Sequence, residues 1–67
     1  MSVATVTEIS ATSDTSFEDA VRQGVARATK TLRGVKSAWV KEQQVRIEGT
    51  SVARWQVNLL ITFELED

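Results

Sequence analysis

From Trp55 onward every second residue is apolar: Trp55, Val57, Leu59, Ile61, Phe63 and Leu65. The positions between them, Arg54, Gln56, Asn58, Leu60, Thr62, Glu64 and Glu66, are mostly polar. A helix advances ~100° per residue and would scatter those apolar groups around its circumference. A period of two gathers them on one side of a pleated strand, so this segment is a β-strand with one buried face. At ~3.3 Å per residue, about fifteen residues extend roughly 50 Å, far beyond an ordinary strand. A small domain cannot cover that length alone. Either the strand bends sharply or other chains cover part of it.

Small the domain is: 67 residues make one unit, here taken as a single domain over 1–67. One core in a chain of this size seldom supplies more than ~3–5 kcal/mol, so such domains usually need a further staple. The sequence has no Cys and no His. That excludes disulfides and thiolate metal sites, and it removes the commonest general base and metal ligand. Oligomerisation is the staple left, so self-association is expected. Eight basic against nine acidic residues give a net charge of −1. This balance offers no electrostatic case for a nucleic-acid partner. No apolar run approaches the ~18–20 residues of a membrane span. The opening MSVATVTE lacks the basic and apolar regions of a signal peptide. The expectation is a cytoplasmic protein without membrane or nucleic-acid partners.

Upstream of the long strand, Val3 to Ala11 is rich in Val, Thr and Ile and reads as a first strand. Its buried face is ambiguous, since Val3 and Ile9 oppose Ala4 and Val6. After the polar turn Thr12 to Thr15, Ser16 suits a helix N-cap, and Glu18 and Asp19 suit the first turn. Phe17, Ala20, Val21, Gly24, Val25, Ala28 and Leu32 form one apolar stripe, which predicts a helix from about Phe17 to Arg33. Gly34 stands where a left-handed cap is expected, and Gly24 lets the helix approach a sheet closely.

Val35 to Glu48 reads as a second strand whose apolar phase changes from Ala38 and Val40 to Val45 and Ile47. Such a slip predicts a bulge, placed near Glu42 to Gln44. Glu48-Gly49-Thr50-Ser51 is the hairpin turn. The fold class is therefore α+β, of order β-α-β-β: a three-stranded antiparallel sheet wrapped around one amphipathic helix. A hairpin centred near Gly49 and Thr50 places Gln43 across from Gln56 and Trp39 across from Leu60. Gln56, Asn58 and Leu60, with Ser37 and Trp39, then face away from the helix as an amphipathic platform.

On that platform Trp39 admits two readings. Its indole can stack on a planar heteroaromatic ligand whose edge hydrogen-bonds the neighbouring amides, or it can fill a subunit interface. Trp55 reads as core or interface. Glu42, Glu48, Glu64, Glu66 and Asp67 could bind a hard cation, but their spacing matches no calcium loop and suits solvated strand ends. No Ser or Lys is paired with an activating base, so no catalytic constellation is present and an enzyme is not expected.

The segments ATSDTSFEDA, VARATKTLRGV and WQVNLLITFELED, at this length and element order, resemble the dodecins. The resemblance implies a hollow homododecamer with helices outside and sheets lining the interior. It also implies a flavin (riboflavin, FMN or FAD) stacked in pairs between Trp side chains and touched by a Gln, stored rather than transformed. Gln56 matches the flavin-contacting Gln. The position of the stacking Trp falls on Ser37, while this chain carries Trp39 two residues later on the same face, displaced by ~6–7 Å. Arg46 stands where flavin binders tend to carry His or Glu. The cofactor-binding residues expected are thus Gln56, Trp39, Ser37 and Arg46. The segment Ala38 to Gln43 resembles a subgroup for which the alternative is a flavin-free structural or ion-binding assembly, with calcium the ion to test.

Overall fold

A computed structural model describes residues 3–65. The elements are β1 (Ala4–Ser13), α1 (Phe17–Thr31), β2 (Val35–Glu48) and β3 (Ser51–Glu64). The strands form one antiparallel sheet in the order β1-β3-β2, with the long alternating strand at its centre. The expected β-α-β-β fold is the one observed. Glu66 and Asp67, the last residues of the anticipated strand, lie outside the described residues. Among the described residues, no helix is long and apolar enough to cross a membrane.

The alternation of β3 is realised as burial. Val57, Leu59 and Ile61 are each 0% exposed and face α1, whose Ala20, Gly24 and Ala28 are also buried. Each fully buried aliphatic side chain contributes roughly 1.5–3 kcal/mol of transfer free energy. The helix presents small residues because it lies almost on the sheet. A Cβ added at Gly24 would stand 2.8 Å from Leu59 Cδ1 and 3.3 Å from the Ala11 side chain. Ile9, Ala11, Phe17, Val21, Val25, Leu32 and Val35 pack around this core. Ile9 and Ala11 therefore mark the inner face of β1, which the sequence left open.

The helix starts as expected but stops at Thr31, two residues before Arg33. Ser16 is extended (φ −170°, ψ 166°), and its Oγ accepts the Asp19 N–H at 3.0 Å. Behind it, buried Ser13 donates to Asp19 Oδ2 at 2.6 Å, and Gln23 Nε2 donates to the same oxygen at 2.6 Å. These bonds, the one from Ser13 first and that from Gln23 next, hold the Asp19 carboxyl below its ordinary range; the Arg22 charge adds to them, and slight desolvation opposes them. At the other end Leu32 is already extended (φ −109°, ψ 141°) while its N–H still bonds Ala28 O at 2.9 Å. Gly34, with φ 71°, belongs to the turn into β2 rather than to the helix cap. Its carbonyl accepts the Glu64 N–H at 3.0 Å, and a Cβ there would meet Glu64 O at 2.9 Å.

The pairing of β2 with β3 shifts at three places: between Val35 and Ser37, between Val40 and Glu42, and between Arg46 and Ile47. The second shift leaves Lys41 unpaired, just before the expected Glu42–Gln44 bulge. The third leaves Ala53 unpaired on the facing strand, because Arg46 pairs with Arg54 and Ile47 with Val52. Between these two bulges the register is offset by one, so Gln44, not Gln43, lies across from Gln56. Beyond Lys41 the offsets cancel, and Trp39 pairs with Leu60 as expected.

No residue of β2 is buried, and only Val35 is half-buried. Val40, Val45, Ile47 and the facing Val52 are exposed apolar groups. Trp55, at the start of the alternating stripe, is half-buried rather than core. The chain measures 51 × 19 × 13 Å, so the length inferred from the strand is kept rather than folded away.

Candidate ligand-binding site

The even positions of β3 point away from α1, and the pairing adds two rows to them. Thr12, Ser10 and Glu8 on β1 lie beside Gln56, Asn58 and Leu60, and Gln44, Glu42 and Trp39 lie on the other flank. Gln56 is the hub. Its Oε1 accepts from Gln44 Nε2 at 3.2 Å and from Arg46 Nη2 at 3.3 Å, while its Nε2 donates to Ser10 Oγ at 3.2 Å. The carboxamide is thereby fixed in one orientation across three strands.

Next to it, Asn58 Nδ2 donates to Glu42 Oε1 at 3.2 Å, which assigns the amide and leaves Asn58 Oδ1 buried without a partner. Glu42, Gln43, Gln44, Gln56 and Asn58 line an open hollow of about 220 Å³. Toward Leu60, Lys41 Nζ reaches Glu8 Oε1 at 3.1 Å, so the unpaired bulge residue ties the two edge strands together. Both ends of that ion pair are nearly half exposed, which limits its contribution to at most about 1 kcal/mol.

The four expected site residues divide into two pairs. Gln56 and Arg46 are in contact. Trp39 and Ser37 share their face but pair with Leu60 and Thr62, which puts them ~13 Å and ~20 Å from Gln56 along β3. Trp39 is 65% exposed, a flat indole open to whatever approaches the sheet. Within one chain, then, the stacking surface and the hydrogen-bonding hub are separate. Ser10 and Gln44 were not expected at the hub. The phase change from Val52 to Trp55 on β3 was the sequence signal for the Ala53 bulge that brings Gln44 into place.

Among the described residues, no group of three or more acidic side chains converges on a point that could hold a metal ion. What the face offers is oriented amides, a guanidinium and an exposed indole. That set suits a planar, edge-polar aromatic molecule.

A family model described as Dodecin matches residues 3–66. Among solved structures, a dodecin from Streptomyces coelicolor is 39% identical, with 98% of this chain and 94% of that one covered and a TM-score of 0.92. A dodecin from Streptomyces davaonensis is 30% identical over 98% and 97%, also at 0.92. A Thermus thermophilus protein is 36% identical over 100% and 98%, again at 0.92. No curated protein matches the chain significantly.

Proposed function

Because the chain belongs to the dodecin family, we propose that it assembles into a hollow cytoplasmic homododecamer that binds and stores a flavin without transforming it. The observation that carries this reading is the Gln56 carboxamide, locked by Ser10, Gln44 and Arg46 on the open face of the central strand. The pyrimidine edge of an isoalloxazine alternates carbonyl acceptors with an N–H donor. The Gln56 and Gln44 amides carry both donors and acceptors and can answer it.

Trp39 supplies the stacking plane. It stands ~13 Å from Gln56 in its own chain, so a ring held by Gln56 of one copy stacks on Trp39 of another. Ser37, on the same face, leaves open the place where the family pattern sets its Trp. Self-association has its own support in the exposed Val40, Val45 and Ile47 of β2. The bound flavin would bring a redox-active, light-absorbing ring; the protein residues bind it, orient it and lay an indole against it. The chain has neither His nor Cys, so neither an imidazole nor a thiolate can act on the ring.

The test is a fluorescence titration of riboflavin and FMN with the assembled protein. Stacking on Trp39 is expected to quench the flavin, and Trp39→Ala to weaken binding at least tenfold. Flavin emission that persists at saturating protein would sink the proposal. A second reading, a flavin-free assembly of the same shape, draws on the separation of Trp39 from Gln56. It is supported if light scattering gives twelve times the 7.4 kDa chain mass while neither flavin is quenched.

A further inference from the structure

Between Asp19 and Glu42 every charged residue is basic. Two of these cations are paired, Arg22 with Glu18 and Lys41 with Glu8. The rest, Arg27, Lys30, Arg33 and Lys36, are exposed and have no ion-pair partner among the described residues. They run from the last turns of α1 through the Gly34 turn into the start of β2. The C-terminal end of a helix carries about half a negative charge, which a single cation already answers. The remaining cations are therefore a local positive excess on a chain whose net charge is −1.

The patch is short and bounded by carboxylates. Glu18 and Asp19 stand at the opposite end of the helix, and Glu64 lies beside the turn, its N–H bonded to Gly34 O. A long, uniformly charged polymer laid across the patch also meets those carboxylates, whereas a short anion does not. The chemistry of the patch narrows the partner further. No large apolar side chain is exposed between Phe17 and Lys36. The patch thus has no anchor to enter a bilayer and no ring on which a base could stack, and it recognises charge and hydrogen-bond acceptors alone. Guanidinium groups fork onto carboxylates, and the lysines add point charges beside them.

We propose that the C-terminal end of α1, with the turn that follows it, docks a short acidic peptide segment of a partner protein. Alternate carboxylates of an extended segment fall ~6–7 Å apart on one side, close to the ~5.4 Å between successive helical turns. Arg27 and Lys30 offer the first contacts on the helix, and Arg33 and Lys36 continue them past its end. The surface belongs to the helix layer, while Gln56 points to the other side of the sheet, so the inference stands apart from the flavin reading. Contacts of this kind are exposed and screened by salt, which sets a modest affinity for any single patch.

The experiment titrates a dye-labelled octaglutamate peptide with the assembled full-length chain at low salt, read by fluorescence anisotropy. A short DNA duplex and phosphatidylserine vesicles serve as comparators. Wild-type protein should bind the peptide and release it as salt is raised. Lys30→Glu combined with Arg33→Glu should weaken binding by about tenfold or more. Arg54→Gln, which removes a cation that Asp14 accompanies on the sheet, should leave peptide binding unchanged. Circular dichroism and the flavin titration should be the same for wild type and the double variant, which separates this docking surface from the fold and from the flavin site. No peptide binding at low salt, or equal binding by the double variant, overturns the proposal. Duplex or vesicles bound more tightly than the peptide would overturn it as well, by assigning the patch to another class of partner.

Discussion

The two strands that flank β3 meet opposite fates. β1 has its inner face under the helix, with Ile9 and Ala11 packed on the core. β2 is longer and carries Val40, Val45 and Ile47, yet they stay exposed among the described residues. The cause is width. A helix is ~10 Å across and strands are ~4.8 Å apart, so one helix shelters about two strands. Gly24 and the alanines of α1 draw the helix down over β1 and β3 and leave the third strand outside its footprint. The lesson is that apolar residues on an unsheltered strand belong to a different packing problem from those of the core, one solved between copies.

Three experiments sharpen or break that contrast. Leu59→Ala, on the sheltered face, should have the largest effect, a loss of ~2–5 kcal/mol. In so small a domain that approaches the whole of its stability, and denaturant titration should show a largely unfolded chain. Ile47→Glu, on the unsheltered strand, should spare the fold of the single chain and split the assembly, with light scattering falling to smaller species while the circular dichroism of the elements persists. An intact dodecamer from Ile47→Glu would mean that β2 is not an assembly surface.

The smallest effect belongs to Asp19 at the helix start. Its carboxyl is held below the ordinary ~3.9 by the Ser13 hydrogen bond and then by Gln23 and Arg22. A depressed folded value means stability that is present above the unfolded value and lost as pH falls through the folded one. Asp19→Asn should therefore flatten part of the acid decline of Tm below about pH 4. Parallel Tm profiles for the two proteins from neutral pH to strong acid would show that this cap carries no pH-linked stability.

Much of this architecture was legible because burial imposes periods. The stripe Val57, Leu59, Ile61 fixes a strand face, and the stripe Ala20, Gly24, Ala28 fixes a helix face. What alternation cannot supply is a count of rungs. The Lys41 bulge left a phase change across the middle of β2, whereas that of the Ala53 bulge, from Val52 to Trp55, rests on one apolar residue beside the hairpin, where the burial pattern is weak. The sequence therefore puts Gln43, not Gln44, opposite Gln56. Ser10 was hidden for another reason: β1 is apolar on both sides near its start, and only the pairing with β3 shows which side its hydroxyl occupies.

The two bulges also behave as a matched insertion. Lys41 is the extra residue on one strand and Ala53 the extra residue on the other, and the pairs Trp39–Leu60 and Glu48–Ser51 outside them keep a common register. The rungs between, from Glu42–Asn58 to Arg46–Arg54, form a cassette that can slide by one step without moving either end. Such a slide would absorb both bulges and set Gln43 opposite Gln56, whereas removing Lys41 and Ala53 together would close the bulges and keep every existing pair. A binding face built this way can be re-phased by its outer strand alone, between two fixed ends, while the sheltered core stays as it is.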